Sequence, residues 1–431
     1  MEKLKIAEIE KATGGRVKVR GNISEITDIV TDTRVEAGEA SLFVPLKGEN
    51  FDGRDFIDKF TGGAVLEVED GNKALADLAR YYRGKFDIPV IGITGSVGKT
   101  STKEMMAGAL SGQFKVLKTE GNFNNEVGLP KTIFRLDSGV EAAVFEMGMN
   151  HAGEMSRLSA MGQPSVAVIT NIGTAHIGNL GSREGILGAK MEIIDSLQEG
   201  GLVVLNADDD LLWPQVAKLP HRVVTYGIRN EEADIRGTIL DEKSDSSEFE
   251  VEGVRAVVNM AGEHVVYNAL ASIAVGKELG VPLDVLLRGI AGVSSEHSGR
   301  QNVRKLDGFT LIDDCYNACL DSMEASLKVL AKVAGEEGRR LAVLGDMFEL
   351  GTFAEEYHTK VGQIAREVGA ELLITIGKDA NLYMNGDIKA ESIEEAYLAV
   401  KENVRKGDTL LIKASNGMGL KKLVQKLEGA E

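Results

Sequence analysis

The stretch VIGITGSVGKTSTKEMMAGAL at residues 90–110 constrains the fold more than any other part of the sequence. It opens with an apolar, β-branched run up to Thr94, which is typical of a parallel strand buried on both faces. Gly95 and Gly98 follow, and glycines permit the backbone conformations that turn successive N–H groups around an anion. The helical pattern after them directs its positive end at the same place. The stretch therefore predicts a phosphate-binding loop in an α/β fold.

The loop is shorter than the common G-x-x-x-x-G-K-[ST] pattern, whose first glycine would fall on Ile93; it reads G-x-x-G-K-T. A lysine in this place reaches the β- and γ-phosphates, and the hydroxyl after it can bind Mg²⁺. A strand–turn–helix corner that binds nothing is the alternative, but a Lys-Thr pair directly after two glycines has no purpose in packing. The predicted phosphate contacts are Gly95, Ser96, Gly98, Lys99, Thr100 and Ser101.

A length of 431 residues predicts about three domains of roughly 150 residues each. Short alternating runs separated by glycine turns predict a small α/β module at 1–85. A repeated strand–turn–helix pattern predicts a doubly wound parallel sheet at 86–298, with an exposed hairpin or insertion at 231–250. Four more buried strands predict a Rossmann-like α/β domain at 299–431.

Charge and composition exclude several classes of protein. A net charge of −17 and a pI near 5.0 exclude nucleic-acid binding, which needs clustered Lys and Arg. Cys315 and Cys319 are too few for a disulfide framework or a four-ligand zinc site, so reduced thiols are expected. No apolar run reaches 18 residues, which excludes membrane insertion. We expect a cytoplasmic monomer that acts on small molecules.

Polar residues follow successive strands of the predicted central sheet. Glu146 ends one strand, His176 comes just after the next, and Lys190 lies in the helix beyond. Each alone is more often structural, but together they predict a phosphate–metal site, since two Mg²⁺ ions can bind both sides of a transferring phosphoryl group. The loop EGNFNNEVGLP at 120–130 predicts either Asx turns or amide donors for phosphate or acyl oxygens, and its spacing does not decide between them.

A set of motifs resembles the Mur ligase family over about residues 30–420. The motifs are TGSVGKTST, GNFNNEVGLP, FEMGMNHAGEM, ITNIGTAHIGNLGS, GAKMEI, HVVYNALAS, SGRQ, DDCYNA and, near the N-terminus, DTRVEAGEASLFVPLKG. The short G-x-x-G-K-T loop is typical of this family. The N-x-N-N-E-x-G-x-P loop and the D-D-x-Y-N strand end resemble the branch that joins D-alanyl-D-alanine to a UDP-muramoyl-tripeptide, with ATP, in peptidoglycan synthesis.

The resemblance implies a role for each matching position. Lys99 would bind the γ-phosphate, while Thr100 and Glu146 would hold one Mg²⁺. His176 and Lys190, the latter carbamylated in many relatives, would hold the second Mg²⁺. The residues implied for the rest of the nucleotide are Asn268, Arg300 and Asp314. Those implied for the UDP-sugar peptide and the incoming amine are Thr33, Arg34, Lys47, Gly48, Asn124, Asn125, Tyr316, Asn317, Lys413, Ser415 and Asn416.

The chain departs from the family at three places. Cys319 and Leu320 stand where Asn-Pro is usual, Arg54 where His is common, and Asn416 where the family has Arg. An Arg suits a dipeptide carboxylate through a bidentate pair, and Asn416 cannot supply that charge. The alternatives are therefore a related ligase that adds a single amino acid, folylpolyglutamate synthase, or a non-catalytic nucleotide-dependent module. The N-terminal motif disfavours folylpolyglutamate synthase, and the joint set of phosphate and metal residues disfavours a mere binder.

Overall fold

A computed structural model describes residues 1–293 and 302–429, and the chain folds as two compact units. The first unit comprises residues 1–94, 113–168 and 190–203. The second comprises residues 95–112, 169–189 and the chain from 204 onward. The domain boundaries expected after residues 85 and 298 stay a prediction.

The first unit begins with the small α/β module that the sequence predicts. Its short strands are β1 (Leu4–Lys5), β2 (Arg16–Val19), β3 (Glu25–Ile26), β4 (Asp28–Val30), β5 (Ser41–Phe43) and β6 (Ala64–Glu67), with helix α1 at Ile6–Thr13, a 3₁₀ helix at Gly53–Lys59 and helix α2 at Gly71–Arg83. Four of the strands form a sheet in the order β2-β6-β5-β4, in which β4, β5 and β6 run parallel. Its core is a small apolar cluster in which the rings of Phe43 and Phe60 stack at 5.2 Å.

The first unit also contains three parallel strands, the first of which directly precedes the phosphate loop. They are β7 (Val90–Thr94), β8 (Val116–Lys118) and β9 (Ala142–Glu146), and β9 pairs with both of the others. Every residue of β7 and β9 is buried, as expected for parallel strands covered on both faces. Helices α4 (Gly128–Ile133) and α5 (Glu154–Gly162) complete this part of the first unit.

The second unit contains the helix of the phosphate loop, α3 (Lys99–Leu110), which lies against a long helix, α8 (Glu263–Glu278). The chain also forms β10 (Val166–Ile169), α6 (Ile177–Leu180), α7 (Arg183–Met191), β11 (Leu202–Asn206), β12 (Arg222–Gly227), β13 (Ile235–Glu242), β14 (Ser247–Val251), β15 (Val254–Val258) and α9 (Leu283–Ala291). Strands β13 and β14 form an antiparallel hairpin, so the hairpin expected at 231–250 is confirmed.

The C-terminal part of the second unit is a six-stranded sheet in the order β16-β17-β21-β18-β19-β20. Its elements are β16 (Asn302–Lys305), β17 (Thr310–Asp313), α10 (Leu320–Ala334), β18 (Arg340–Gly345), α11 (Ala354–Glu367), β19 (Ala370–Ile376), α12 (Lys378–Tyr383), β20 (Ile388–Ala390), α13 (Ile393–Asn403), β21 (Thr409–Lys413) and α14 (Lys421–Leu427). All pairings are parallel except β16 with β17. The alternation of strands and helices confirms the predicted doubly wound α/β class.

Arg83, a buried arginine in the first unit, donates hydrogen bonds to backbone carbonyls. The guanidinium of Arg83, at the end of α2, donates to the carbonyl oxygens of Phe86 at 2.6 Å and Gly162 at 3.1 Å. Arg83 is 1 % exposed, and burial lowers its pKa from 12.5 to about 10. The planar fork suits several carbonyls at once, which a lysine ammonium cannot match.

We therefore expect Arg83→Lys to lower the melting temperature, because carbonyls left unpaired in a buried place each cost about 1–3 kcal/mol. Arg80→Lys is the matched control, since Arg80 lies on the same helix and is exposed. Thermal unfolding of the two variants measures the difference. Equal melting temperatures would show that the Arg83 hydrogen bonds contribute nothing to stability.

Candidate active site

The phosphate loop takes a conformation that only glycine permits at two positions. Gly95 has φ +151° and Gly98 has φ +84°. A Cβ atom on Gly95 would lie 1.9 Å from Oγ1 of Thr170, and one on Gly98 would lie 2.9 Å from Oδ1 of Asn268. The backbone thus approaches its neighbours too closely for a side chain, as a loop must if its amides are to surround a phosphate.

The loop is held in place by the segment that follows β10. Asn171 Oδ1 accepts from the N–H of Val97 at 3.0 Å, and its Nδ2 donates to the Val97 carbonyl at 3.0 Å. The hydroxyl of Thr170 donates to the same carbonyl at 2.7 Å, and the hydroxyl of Ser96 accepts from the N–H of Gly173 at 2.9 Å. Sequence reasoning missed Asn171 and Thr170, although both lie in the motif that drew attention to His176.

Lys99 is the first residue of α3, and its side chain returns over the loop. Its Nζ donates to the carbonyl of Gly95 at 2.6 Å and to that of Ser96 at 3.3 Å. Thr100 and Ser101 occupy the same first turn. Unpaired N–H groups at a helix N-terminus and a lysine charge are the elements of an anion site.

A cavity in the second unit collects residues that are more than 300 positions apart in the sequence. Five of the predicted site residues line it: Gly98, Ser101, Asn268, Asp314 and Lys413. His264, Tyr267 and Ser326 add polar side chains to its wall. Two residues of the predicted phosphate loop, Gly98 and Ser101, therefore share one cavity with Asn268 and Asp314, which were implied for the rest of the nucleotide.

Asn268 offers this cavity an unused donor. The residue is 5 % exposed and lies on α8, and its Oδ1 accepts from the Thr102 hydroxyl at 3.0 Å. Its Nδ2 is buried and donates to no residue in the described part of the chain. A buried amide without an acceptor costs free energy unless a ligand supplies one, so Asn268 fits a role in binding a nucleotide base.

A partly buried hydrogen-bonded network lies beside Asn268. Tyr267 donates its hydroxyl to Asp208 at 2.7 Å, and Asp208 also accepts from the backbone N–H groups of Ile228 and Asn230, each at 2.6 Å. Burial, followed by the bond to Asp208, raises the pKa of Tyr267. Although burial opposes it, these donors lower the pKa of Asp208, so the network consists of a carboxylate and a neutral phenol.

Lys413 and Asp314 form a buried ion pair in the cavity. Nζ of Lys413 donates to Oδ2 of Asp314 at 2.6 Å and to the carbonyl of Asn317 at 2.9 Å. The hydroxyl of Ser326 donates to the same carboxylate oxygen at 2.6 Å. Lys413, which was implied for substrate binding, therefore has its charge paired with Asp314.

His176 lies in a tight turn that contacts the loop after β18. It has φ +64°, and its Nδ1 meets the Glu349 carboxylate. The N–H and hydroxyl of Thr174, two residues earlier, both donate to Asp321 at 2.7 Å. Carboxylates thus hold the His176 segment at two points, and a carboxylate on Nδ1 is the usual partner of a histidine that binds a metal through Nε2.

Four predicted residues of the first unit are buried or hydrogen-bonded within the protein. Glu146 is 1 % exposed at the end of β9, and Nδ2 of Asn124 donates to its Oε1 at 2.9 Å. Lys190, in α7, is also 1 % exposed. Oδ1 of Asn125 accepts from the N–H of Gly128 at 2.8 Å, so of the two possibilities open for this loop, Asn125 makes the local turn. Asn124 instead has its amide on a predicted metal ligand.

The predicted UDP-sugar contacts lie on loops of the first unit. Arg34 is exposed and forms a fork with Asp32 at 2.9 and 2.7 Å, which lowers the pKa of Asp32 to about 2. Thr33 is half-buried beside it. The backbone of Lys47 exchanges two hydrogen bonds with the Asn72 amide. Gly48 adjoins Phe51, whose ring would lie 2.3 Å from an added Cβ.

The predicted amine-binding residues lie near one another at the ends of β17 and β21. Tyr316 and Asn317 are exposed, as is Asn416. Ser415 is buried, and its hydroxyl accepts from the N–H of Phe348 at 2.8 Å. None of these four lines the cavity of Asp314 within the described residues. Arg300 lies outside the described residues.

Comparison with known proteins identifies the architecture. The Mur ligase middle domain family matches residues 93–276, and the Mur ligase glutamate ligase domain family matches residues 299–416. A UDP-N-acetylmuramoyl-tripeptide–D-alanyl-D-alanine ligase from Bacillus subtilis is 36 % identical over 98 % of this chain and 97 % of its own length. The chain belongs to the Mur ligase family.

Solved Mur ligase structures agree over the whole chain. A crystal structure of MurF from Acinetobacter baumannii has a TM-score of 0.91 at 30 % identity, covering 100 % of this chain and 99 % of that one. MurF from Thermotoga maritima in complex with ADP has a TM-score of 0.82 at 30 % identity, covering 94 % and 97 %. The predicted family, the three-domain α/β fold class and the ligase class are therefore confirmed.

One departure from the Mur ligase pattern, at Cys319, has a local explanation. Cys319 precedes α10 as its N-terminal cap, in a capping box with Ser322, so no proline is needed to start that helix. Cys315 and Cys319 are both free thiols and buried, and burial raises the pKa of each thiol. Such thiols are inert.

Two classes of feature are absent from the described ranges. No helix within residues 1–293 and 302–429 is long and apolar enough to span a membrane. Over the same ranges, no group of three or more His, Cys, Asp and Glu side chains is placed to hold a metal ion.

The Lys413–Asp314 pair predicts an asymmetric effect of mutation. We expect Lys413→Met to lower the free energy of unfolding by about 3–5 kcal/mol, because it leaves a buried carboxylate without its partner. Adding Asp314→Asn should recover most of this loss. Lys421→Met is the control, since Lys421 pairs with Asp313 but is 57 % exposed. Urea unfolding measures all three, and a Lys413→Met loss no larger than that of Lys421→Met contradicts the assignment.

Proposed function

We propose that this chain is an ATP-dependent ligase that joins D-alanyl-D-alanine to UDP-N-acetylmuramoyl-tripeptide, forming an amide bond in peptidoglycan precursor synthesis. The observation that carries the proposal is the cavity in which the phosphate-loop glycine Gly98 meets Asn268 and the Asp314–Lys413 pair. That arrangement occurs in a chain that matches ligases of this name over nearly its whole length.

The reaction needs ATP because a carboxylate has no adequate leaving group. An oxygen of the tripeptide's terminal carboxylate attacks the γ-phosphorus, the bond to the β-phosphate oxygen breaks, and ADP leaves. The amine of the dipeptide then attacks the acyl phosphate carbon, inorganic phosphate departs, and the nitrogen loses a proton. Catalysis of the first step is mainly positioning and neutralisation of charge.

Lys99 and the loop amides neutralise the phosphate charge in this proposal. Lys99 exchanges the carbonyls of Gly95 and Ser96 for phosphate oxygens, while the first turn of α3 donates its N–H groups. Because Asn171 makes two hydrogen bonds to the loop, the backbone amides of the loop are oriented before the nucleotide binds. Preorganised donors stabilise a charge without the cost of rearrangement.

Asn268 and Asp314 bind the nucleoside. The unused Nδ2 of Asn268 supplies a donor to the base, and Asp314, fixed by Lys413 and Ser326, accepts from ribose hydroxyls. A carboxylate fixed by these two donors accepts hydrogen bonds from two hydroxyls without moving. ATP binding thereby requires residues from both sequence families matched by the chain.

Magnesium fits the donors that the chain offers. Mg²⁺ takes one or two protein oxygens besides phosphate oxygens and water, so the Thr100 hydroxyl and the buried Glu146 carboxylate are each suitable ligands. His176, oriented by Glu349, and Lys190 as a carbamate are proposed for a second ion. Two bound ions would supply positive charge to the phosphoryl oxygens.

The remaining predicted residues bind the two other substrates. Thr33, Arg34, Lys47 and Gly48 are proposed for the uridine nucleotide, with Asn124 near the peptide's reacting end. Ser415 and Asn416, with Tyr316 and Asn317, are proposed for the dipeptide. Because Lys413 is paired with Asp314, the dipeptide carboxylate must depend on hydrogen bonds or on another cation for its neutralisation. We further propose a cytoplasmic, monomeric enzyme.

The function predicts the product of a competition assay. With UDP-muramoyl-tripeptide, ATP, Mg²⁺, D-Ala-D-Ala and single amino acids together, we expect a product that has gained the dipeptide, read by mass spectrometry. Lys99→Ala should form no product and keep the wild-type melting curve, because it removes a charge that offsets phosphate. Lys218→Ala, an exposed lysine in the second unit, is the control.

Two outcomes would refute the proposal in different directions. A product carrying one added amino acid, without dipeptide product at high D-Ala-D-Ala, would assign the chain to the branch that adds single amino acids. Hydrolysis of ATP with no amide product from any amine would favour a nucleotide-dependent switch. Near-normal turnover by Lys99→Ala would remove the phosphate role of that residue.

The carbamate on Lys190 predicts chemical rescue. We expect Lys190→Ala to lose activity and to regain part of it with added formate or acetate, because a small carboxylate replaces the missing anion. ¹³C-bicarbonate should give the wild-type protein a carbamate NMR signal that the variant lacks. Failure of rescue together with the absence of that signal would show that Lys190 acts as an ordinary ammonium.

A further inference from the structure

A short segment after β10, residues 171–173, is hydrogen-bonded to the phosphate loop through its backbone. The carbonyl of Asn171 accepts from the N–H of Ser96 at 3.1 Å, and the N–H of Gly173 donates to the Ser96 hydroxyl at 2.9 Å. The side chain of Asn171 adds two hydrogen bonds to the next loop residue, Val97. The position of this segment therefore determines the position of the loop.

The central residue of the segment, Ile172, is held by two charged side chains. Oδ2 of Asp209 accepts from the Ile172 N–H at 2.7 Å. The Ile172 carbonyl accepts from Nε of Arg183, the first residue of α7, at 3.1 Å and from its Nη2 at 2.7 Å. Because Ile172 is 1 % exposed, its N–H and carbonyl depend on these side chains for their hydrogen bonds.

Both charged side chains are fixed by partners outside the segment. Oδ1 of Asp209 accepts from the N–H groups of Leu211 and Leu212 at 3.0 and 2.9 Å. The guanidinium of Arg183 donates to Asp210, from Nη1 at 2.9 Å and from Nη2 at 2.6 Å. A guanidinium only donates and a carbonyl only accepts, so the bond from Arg183 to the segment has one possible direction.

We propose that Arg183 is a positioning residue for ATP binding: by holding the Ile172 carbonyl, it keeps residues 171–173 in the place that orients the phosphate loop. The inference rests on the proposed function of the cavity as a nucleotide site. Arg183 does not line that cavity in the part of the chain that the structure describes. It acts through Ile172 and Asn171.

Loss of the guanidinium leaves the buried carbonyl of Ile172 without its donors. The segment then has to move to find water or another donor, because an unpaired buried carbonyl costs free energy. Ser96 and Val97 move with it, so the loop amides are no longer oriented before the nucleotide binds. No residue proposed for the uridine nucleotide or the dipeptide belongs to this segment, so we expect the effect to be confined to ATP.

The chain offers a matched control for Arg183. Arg366, in α11, has the same exposed fraction of its side chain, 38 %. It also donates to a carboxylate from both Nη atoms, to Asp387 at 3.0 and 2.8 Å, and to a backbone carbonyl, that of Asn385, at 3.2 Å. None of these partners lines the nucleotide cavity within the described residues.

Isothermal titration of the full chain with ADP and Mg²⁺ tests the proposal. We expect Arg183→Met, which keeps a long side chain without donors, to weaken ADP binding about tenfold, because charge-assisted hydrogen bonds are the stronger ones. Arg183→Lys should recover part of this loss, since it restores a cationic donor. Arg366→Met should bind ADP as the wild type does, although it should lower the melting temperature about as much as Arg183→Met.

Steady-state kinetics separates positioning from a loss of stability. We expect Arg183→Met to raise KM for ATP about tenfold and to leave KM for UDP-muramoyl-tripeptide and for D-Ala-D-Ala unchanged. A variant that is only less stable loses active protein, which lowers the apparent kcat and changes no KM. If Arg183→Met does not fold, Arg183→Lys and Arg366→Lys make the same comparison, with a smaller expected loss of ADP affinity in Arg183→Lys alone.

The outcomes distinguish this inference from the proposed function. A wild-type chain that binds neither ADP nor ATP would overturn the proposed function and the inference with it. A wild type that binds ADP, together with a folded Arg183→Met that binds it equally well, would overturn the inference alone. An equal weakening of ADP binding by Arg366→Met, or a KM increase shared by all three substrates, would also overturn it, because the loss would then be general.

Discussion

The rest of the site depends on the two hydrogen bonds between the side-chain amide of Asn171 and the backbone of Val97. A loop that exposes its amides to an anion cannot use them for its own stability, so its conformation must be imposed from outside. Asn171 does this with both ends of one amide, and Thr170 adds a third hydrogen bond. Because Asn171 comes from the segment that also carries Thr174 and His176, the same turn aligns the loop and the proposed metal ligand.

The cavity of the second unit is built beside polar groups that hydrogen-bond with one another. Asp314 is buried, yet Lys413 and Ser326 donate to it, and Asp208 is surrounded by backbone donors and Tyr267. Such networks are costly if any member lacks a partner, but they fix positions closely when complete. Asn268 is the exception, because its buried Nδ2 donates to no described residue, and that is why the amide is proposed to bind a base.

The hydrogen-bond partners of two predicted substrate-binding residues, Lys413 and Asn125, lie within the protein itself. Lys413 was implied for substrate binding, but its ammonium donates to Asp314 and to the carbonyl of Asn317. Asn125 belongs to a loop that suggested substrate contacts, but its side chain caps the backbone of Val127 and Gly128. Neither outcome is visible in a motif, because a motif records the type of a residue and not the group it meets.

The sequence by itself determined the elements and their class. Buried β-branched runs predicted β7 and β9, and glycines predicted the turns after them. The hairpin or insertion at 231–250 was predicted from an acidic, serine-rich composition. All of these depend on neighbours close in the chain. The motifs also placed Lys99, Glu146 and His176 at strand or helix ends. Tertiary structure decided which groups these residues contact. Asn171 hydrogen-bonds to the peptide group of Val97, and Glu349 contacts His176, which is 173 residues away in the sequence. Thr102 hydrogen-bonds to Asn268. The physical reason is that a hydrogen bond between distant segments depends on how the helices and strands pack, and no local pattern encodes that packing.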